Sequence, residues 1–285
     1  MPKPTENEPR IDLHLHTTCS DGTLSPAETV KEALRRGLSI IAITDHDTAV
    51  GIAPALEAAS GTGLRVVPGI ELNTDYKGQE VHILGYGIDP EAEALRDAHQ
   101  RMVDARHQRN LAILGRLEAL GMGLDVKRVE EIAQGEIVAR PHIAKAMVEA
   151  GHVGSLQEAF DRFLKKGAPA FVERESLTPQ EACQAILRSG GLPVLAHAGK
   201  ADYEVLIKEL LPFGLRGIEA YHTDHSAAQQ VKLRNMAERF NLLTTGGSDS
   251  HGPKWGRPAE MGSVPIPPEA LEKFLAALRE TERYE

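Results

Sequence analysis

The stretch Ile11-Asp12-Leu13-His14-Leu15-His16-Thr17-Thr18-Cys19-Ser20-Asp21-Gly22 decides the fold and the chemistry that we expect of this chain. Its first polar residues alternate with Ile and Leu, which is typical of a β-strand. Alternate side chains of a strand share a face, so His14 and His16 point the same way and begin a metal site. Asp21 follows in a Ser-Asp-Gly turn, from which its carboxylate can return to that face. Taken alone, the stretch also fits a buried strand with two hydrogen-bonded histidines.

Composition limits the classes of protein to which the chain can belong. Its 285 residues suit a large α/β domain or a barrel with an insertion, and an apolar content of 41% is enough for a core. The net charge of −9 argues against broad nucleic-acid or membrane binding. Cys19 and Cys183 form no disulfide pattern, and the polar N-terminus lacks the apolar segment of a signal peptide. We therefore expect a cytoplasmic protein with no membrane association and no stable protein partner.

Strands and helices alternate along most of the chain, which predicts an α/β fold with a parallel sheet or barrel. Capping-box sequences at Ser25–Glu28 and Thr178–Glu181 begin helices, and the turn at Asp75–Gly78 predicts a hairpin. Between residues 91 and 166 helical periodicity replaces the alternation. We assign residues 10–90 and 167–285 to the barrel, and residues 91–166 to a helical insertion that caps the active site.

Side chains that bind metal ions recur where the predicted strands end. The carboxyl ends of parallel strands form the reactive face of α/β folds. The residues at these ends are His14, His16, His46, Glu71, His197, His222, Asp249 and His251. Imidazole and carboxylate ligands suit Mn²⁺, Fe²⁺ or Zn²⁺, and their number implies two or three ions with Glu71 as the bridging carboxylate. Metal ions this close together favour displacement at phosphorus.

These motifs resemble the PHP (polymerase and histidinol phosphatase) family. The matching segments are D-L-H-L-H-T with S-D-G, T-D-H-D, G-I-E, H-I-L-G-Y, L-A-H, G-I-E-x-x-H and G-S-D-S-H, spread over nearly the whole chain. The resemblance implies a distorted (β/α)7 barrel with a trinuclear, often manganese, centre. It places the nine family ligands on His14, His16, Asp21, His46, Glu71, His82, His197, Asp249 and His251. By the family pattern one ion is held by His14, His16, Glu71 and Asp249, a second by Glu71, His82 and His197, and a third by Asp21, His46 and His251.

Asp12 and His222 are the candidate catalytic residues. Asp12 is predicted to orient a ligand histidine, with a strand-end hydrogen bond as the alternative, and Asp45 and Asp47 are open to the same two interpretations. His222 lies at a strand end, where it is predicted to contact phosphate or to protonate the leaving oxygen, with a polar residue at the rim as the alternative. His225 is predicted to lie on the surface.

Arg140, His142, Lys165 and Lys200 are candidate substrate-binding residues, together with His222. Arg140 and His142 open a helix of the insertion, and a helix N-terminus beside an arginine suits an anion such as a second phosphate. Lys165 contributes to the same site or only adds surface charge at a helix end. Lys200 stands where many family members carry arginine, and lysine is a point charge that lacks the bidentate geometry of arginine.

The helical block, with its segment R-P-H-I-A, resembles the subgroup of 3′,5′-nucleoside bisphosphate phosphatases and related 5′→3′ exoribonucleases. This resemblance implies a metal-dependent phosphoesterase that removes the 3′-phosphate of a nucleoside 3′,5′-bisphosphate such as adenosine 3′,5′-bisphosphate. The alternatives are a 5′→3′ exoribonuclease on short RNA, a cyclic-nucleotide phosphodiesterase, and a non-catalytic metal-binding module. The implied partner is a small nucleotide or a short oligoribonucleotide. The implied cofactor is Mn²⁺, as two or three ions, with Fe²⁺ or Zn²⁺ as alternatives.

Overall fold

Seven strands form a single sheet that nearly closes into a barrel. The computed structural model describes residues 10–133, 138–173, 176–200, 203–253 and 261–281. The strands are β1 (Arg10–Leu15), β2 (Leu38–Ile43), β3 (Arg65–Tyr76), β4 (Gln79–Tyr86), β5 (Leu192–Leu195), β6 (Gly217–His222) and β7 (Leu243–Gly247). They neighbour one another in chain order, and a parallel bridge between Leu15 and Ser250 joins the first strand to the segment after the last.

Strand β4 runs against both of its neighbours, whereas all other neighbouring strands are parallel. The predicted hairpin between β3 and β4 is present. Its turn residues, Lys77 and Gly78, both have positive φ angles (56° and 81°), as a tight type I′ turn requires. Strand β3 continues to Tyr76, past the predicted end at Glu71, because β4 pairs with it from Gly69 to Tyr76. The prediction of a distorted seven-stranded α/β barrel is confirmed.

Helices cover the barrel and build the inserted block. They are α1 (Pro26–Arg35), α2 (Ile52–Ala59), α3 (Glu93–Ala119), α4 (Val126–Ala133), α5 (Arg140–Glu149), α6 (Leu156–Ala159), α7 (Pro179–Arg188), α8 (Glu204–Leu210), α9 (Ala227–Arg239) and α10 (Pro268–Thr281). The predicted capping boxes begin α1 at Ser25 and α7 at Thr178. In each, the hydroxyl accepts from the third helical amide and a glutamate returns the bond. No helix among the described residues is both long and apolar enough to cross a membrane.

Two apolar clusters hold the barrel together. One combines strands β1 to β5 with α10, where Tyr86 and Phe274 meet edge to face at 5.1 Å between ring centroids. The other packs α1 and α2 against β1, β2 and β3, with Leu15, Ile41 and Ile43 fully buried. Burial of such side chains stabilises the fold by about 1.5–3 kcal/mol each. These clusters leave the ends of the strands to polar side chains.

The chain divides into two compact units. One comprises residues 1–98 and 177–285 and contains the whole barrel, and the other comprises residues 99–176. The first division lies within α3, which is one continuous helix, and the predicted boundaries at 90/91 and 166/167 stay predictions. The second unit has its own core, in which Ile113, Leu117, Ile143 and Met147 are completely buried.

Candidate metal centre

The Glu71 carboxylate is the centre of the polar cluster at the end of the barrel. It is 1% exposed and lies where β3 meets the segment after β2, since His46 and Glu71 form a parallel bridge. Five imidazoles from four segments surround its two oxygens, at 2.9–3.2 Å: His14, His16, His46, His82 and His197. Each oxygen of this carboxylate therefore faces two or three imidazole nitrogens, as expected of a carboxylate that bridges two metal ions.

The first group of potential ligands comprises His14, His16, Glu71 and Asp249. One donor atom from each lies within 4.8 Å of the others, and all four residues are buried. The Nε2 atoms of His14 and His16 lie 3.6 Å and 3.1 Å from Asp249 Oδ1. Burial disfavours a charged His16, but Asp249 and Glu71 outweigh it and raise the pKa of His16 to about 9. Burial likewise disfavours the charged forms of Glu71 and Asp249, but the nearby histidines have the larger effect and lower the pKa values of both.

A second group forms around the other oxygen of Glu71. His82 Nδ1 and His197 Nε2 lie 2.9 Å and 3.1 Å from Glu71 Oε1, and 3.2 Å from each other. The opposite nitrogen of His82 contacts Glu80 Oε1 at 2.8 Å, which leaves Nδ1 as the atom facing Glu71. Burial lowers the pKa of His82, but Glu71 and Glu80 together raise it to about 10.

The third group includes Asp21, His46 and His251, and His16 is close enough to join it. His251 Nε2 lies 3.2 Å from Asp21 Oδ1, and the His16 and His251 rings stack at 4.1 Å between centroids. Burial opposes ionisation of Asp21, but the hydrogen bond from His251 and nearby imidazoles lower its pKa to about 2. Each of the nine predicted ligands thus lies beside at least two others.

Several of these donor atoms lack hydrogen-bond partners within the described part of the chain, and divalent cations would supply them. Both ring nitrogens of His16 and the Nδ1 atom of His46 are buried and make no hydrogen bond among the described residues. Yet His16 Nε2 lies 3.1 Å from Asp249 Oδ1, so the atoms are close but not aligned for N–H···O bonding. Buried polar atoms rarely lack partners, and a cation between such donors would satisfy them.

Asp45 and Asp47 hold the loops that carry the imidazoles. Asp45 accepts hydrogen bonds from the Thr17 amide, the Thr17 hydroxyl and the Ser20 hydroxyl, at 2.6–2.7 Å. Asp47 accepts from the amide and the side chain of Asn73, both at 2.8 Å. The two aspartates that flank His46 therefore fix the segment after β1 and the middle of β3.

Asp12 likewise contacts the backbone. Its carboxylate accepts from the amides of His14, Ser248 and Gly262, at 3.3 Å, 2.9 Å and 2.7 Å. The register of β1 on β2 shifts between Asp12 and Leu15, yet His14 and His16 still reach the same two carboxylates, as the predicted alternation requires. The backbone contacts of Asp12 match the strand-end alternative, and a role of Asp12 in catalysis stays a prediction.

His222 lies beside the cluster, and its surroundings define which nitrogen carries hydrogen. Its Nδ1 accepts the Asp224 amide at 3.0 Å, so the neutral ring carries its hydrogen on Nε2. Nε2 is buried, makes no hydrogen bond within the described residues, and lies 3.5 Å from Asp249 Oδ2. Although His222, His14 and Glu219 are close enough to form a metal site, an N–H group at Nε2 is not a ligand atom.

Glu219 and His225 were not predicted to contribute to the site. Glu219 is completely buried, and its Oε1 lies 2.9 Å from His14 Nδ1. Its signal in the sequence is an ionisable residue within the apolar strand Gly217–His222. The prediction that His225 lies on the surface is wrong, because it is 6% exposed and its ring bonds to Ala220 and to the Gly199 amide. The turn after β5 folds onto this ring.

The candidate substrate-binding residues of the helical unit have local partners. Arg140 donates to the Leu164 carbonyl at 3.4 Å, and the Nδ1 atom of His142 accepts the Ala139 amide at the start of α5. Lys165 is exposed and lies 3.1 Å from Asp161, one helical turn away, which agrees with the surface-charge alternative. The side chain of Lys200 lies outside the described part of the chain. Substrate binding by these residues stays a prediction.

Comparison with known proteins agrees with this geometry. The PHP domain model matches residues 12–173. The chain is 34% identical to a phosphoribosyl 1,2-cyclic phosphate 1,2-diphosphodiesterase of Eggerthella lenta, with 88% of this chain and 97% of the relative covered. It is 33% identical to the 5′-3′ exoribonuclease Rnm of Escherichia coli (85% of both chains) and to a 3′,5′-nucleoside bisphosphate phosphatase of Chromobacterium violaceum (86% and 88%).

Two solved structures are similar to this chain over nearly its whole length. An amidohydrolase from Chromobacterium violaceum is similar over 94% of this chain and 96% of its own, with a TM-score of 0.73 and 30% identity. A protein from Bifidobacterium adolescentis, assigned as a metal-dependent phosphoesterase, is similar over 96% and 97%, with the same TM-score and identity. The fold and the polar cluster thus define a hydrolase of the metal-dependent phosphoesterase class. The chain belongs to the PHP domain family.

Proposed function

We propose that this phosphoesterase hydrolyses a phosphate monoester, namely the 3′-phosphate of nucleoside 3′,5′-bisphosphates, with adenosine 3′,5′-bisphosphate giving AMP and phosphate. The observation that supports the reaction class best is the convergence of five imidazoles on the Glu71 carboxylate. The substrate is proposed from the resemblance to bisphosphate phosphatases, one of which is 33% identical over most of the chain. The cytoplasm remains the predicted location.

Divalent cations, with Mn²⁺ proposed ahead of Fe²⁺ and Zn²⁺, would be held by the three groups around Glu71, Asp249 and Asp21. When bound, such ions act as Lewis acids toward phosphoryl oxygens and lower the pKa of water. The protein contributes the positions of the donors, because Asp45 fixes the loop that carries His16 and Asp21. Burial of Glu71 also excludes bulk water from the centre of the site.

His222 is proposed to donate a hydrogen bond from Nε2 to a phosphoryl oxygen. Its Nδ1 already accepts the Asp224 amide, and a proton on Nδ1 would place two hydrogens against each other. The ring is therefore better suited to hydrogen-bond donation than to proton transfer, which favours the first of its two predicted roles. A donor held in place before reaction can stabilise the charge that develops on oxygen.

Arg140 is proposed to bind the second phosphate, at the sugar 5′ position. Its guanidinium lies 5.8 Å from the centre of the Phe171 ring, which limits its freedom, and it stands at the start of α5 beside the helix amides. Arg140→Ala should raise the KM for adenosine 3′,5′-bisphosphate and leave the KM for adenosine 3′-monophosphate nearly unchanged. The matched control is Lys145→Ala, which removes an exposed cation of the same helix. Equal effects on both substrates would contradict this role.

A second candidate function is 5′→3′ exoribonuclease activity on short RNA, or hydrolysis of a cyclic phosphate. It is favoured by relatives with those activities that are as similar to the chain as the bisphosphate phosphatase. All three reactions place a phosphate ester against the same donors. They differ in what is attached to the phosphate, so direct comparison of substrates separates them.

The test begins with metal-free protein loaded separately with Mn²⁺, Fe²⁺ or Zn²⁺. Adenosine 3′,5′-bisphosphate, a 5′-phosphorylated RNA hexamer and a cyclic ribose phosphate are compared by product chromatography and phosphate release. Glu71→Gln should abolish turnover, and Glu57→Gln, an exposed glutamate of α2, should not.

The expected result is AMP and phosphate from the bisphosphate, with the highest kcat/KM of the three. Efficient shortening of the hexamer without phosphate release from the bisphosphate would replace the first proposal by the second. Turnover of no phosphate ester with any metal would contradict both.

A further inference from the structure

The carboxylate of Glu219 joins two ligand-bearing segments that are far apart in the chain. It projects from β6 and is completely buried. Its Oε1 lies 2.9 Å from His14 Nδ1, and its Oε2 accepts the backbone amide of His197 at 2.6 Å. One side chain thus contacts the ring of one proposed ligand and the backbone of another.

The contact with His14 determines which nitrogen of that ring can bind a cation. A carboxylate accepts hydrogen bonds only, so His14 Nδ1 carries the hydrogen that it donates to Glu219. In the neutral ring, the form that binds metal, the lone pair then lies on Nε2, which faces Glu71 and Asp249 at 3.1 Å and 3.6 Å. If Glu219 did not accept this hydrogen bond, the neutral ring could carry its hydrogen on Nε2 instead, and Nε2 could not then bind a cation.

The contact with His197 stabilises an unfavourable backbone. His197 has a φ angle of 28°, in the left-handed region that non-glycine residues rarely adopt. This turn directly after β5 brings the ring to Glu71, with Nε2 at 3.1 Å from Oε1. A short, charge-assisted bond to the His197 amide offsets the cost of the conformation.

We propose that Glu219 is a positioning residue that sets the metal affinity of the site, by holding the hydrogen of His14 on Nδ1 and by fixing the turn at His197. The inference rests on the proposed metal centre, in which both imidazoles are ligands. Glu219 needs both carboxylate oxygens for these two hydrogen bonds. Glutamine has the same shape but only one acceptor oxygen, so its substitution distinguishes hydrogen bonding from packing.

Glu219→Gln keeps the shape of the side chain but supplies only one acceptor. If its oxygen accepts the His197 amide, its NH₂ group faces His14 Nδ1 and drives the ring hydrogen to Nε2. If the oxygen accepts from His14, the NH₂ group opposes the His197 amide. Loss of a carboxylate behind a ligand histidine weakens metal binding by about 10–100-fold, and we expect that range for Mn²⁺.

The experiment measures the Mn²⁺ affinity and stoichiometry of the full chain by competition with a fluorescent chelator, with thermal unfolding of the metal-free protein alongside. Tyr86→Phe is the matched control, because it removes a buried hydrogen bond to the Leu13 carbonyl, next to His14, without touching a proposed ligand. We expect both variants to unfold at lower temperature and only Glu219→Gln to bind Mn²⁺ more weakly.

Equal affinity of Glu219→Gln and the parent protein would overturn the inference, and so would equal weakening in both variants. If the parent protein binds no Mn²⁺, Fe²⁺ or Zn²⁺, the proposed function itself fails. If Glu219→Gln does not fold, proton NMR of the Zn²⁺-loaded parent protein decides. A slowly exchanging imidazole N–H in contact with Glu219 supports the inference, and its absence refutes it.

Discussion

Metal binding to this protein should release protons, and the number can be worked out from the site. In the metal-free protein, nearby carboxylates overcome burial and raise the pKa of His16 to about 9 and that of His82 to about 10. At pH 8 both rings are therefore mostly protonated. A ligand nitrogen must be deprotonated, so binding at these two rings releases about two protons.

Other imidazoles adjust this number in known directions. Burial is outweighed by Glu219, Glu71 and Asp249 at His14, whose pKa is raised well above its usual value. His14 Nδ1 keeps the hydrogen that it donates to Glu219, so metal binding can remove only the proton on Nε2 and adds at most one proton to the two from His16 and His82. Burial lowers the pKa values of His46 and His197, so these rings are neutral at pH 8 and release none.

Isothermal titration of Mn²⁺ into metal-free protein at pH 8, in buffers of different ionisation enthalpy, counts the protons directly. His82→Gln should lower the count by about one. His107→Gln, which removes an exposed histidine of the helical unit, should leave it unchanged. A count near zero, or the same count in the parent protein and His82→Gln, would refute the reasoning.

Three substitutions test other parts of the site. Asp45→Asn removes the charge that accepts three hydrogen bonds and should lower the free energy of unfolding of the metal-free protein by about 2 kcal/mol; an unchanged urea midpoint would contradict this. His222→Asn should lower kcat about 10²–10³-fold with unchanged metal content, and loss of metal would instead make His222 a ligand. Gly22→Ala would place a Cβ 2.6 Å from the His16 carbonyl oxygen and should lower metal stoichiometry, whereas Gly123→Ala, with open space around it, should not.

The pH dependence of stability follows from the same shifts. His16 and His82 have raised pKa values in the folded metal-free protein, so they stabilise it fully below the ordinary histidine pKa of about 6.5. This contribution is lost as the pH rises through about 9 and about 10. The melting temperature of the metal-free protein should therefore decrease as the pH rises from about 6.5 to about 10. Differential scanning fluorimetry across this pH range measures it. A constant melting temperature would contradict the shifts.

Sequence patterns could predict the fold and most of the residues that meet at Glu71, because each of these signals is local, whereas His82 is assigned only through the family resemblance. A histidine or carboxylate at the end of a short apolar run can be read without knowledge of its neighbours. The role of Glu219 could not be read in this way, because it depends on contacts with His14 and His197, which are 205 and 22 residues away in the chain. The contacts of Asp12 with the amides of Ser248 and Gly262, which are 236 and 250 residues away, could not be read from local alternation either.

His82 illustrates why the strand-end rule is incomplete for this barrel. The rule selects the carboxyl ends of parallel strands, but His82 lies in the first half of β4, a strand that runs against both neighbours. Reversal brings the amino-terminal part of β4 to the reactive end, where His82 pairs with Asn73 in register and reaches Glu71 at 2.9 Å. The tight turn at Lys77–Gly78 sets that register, so a change in its length by one residue would turn the imidazole to the opposite face. The hairpin is therefore as necessary to the candidate metal centre as the side chains that would bind the ions.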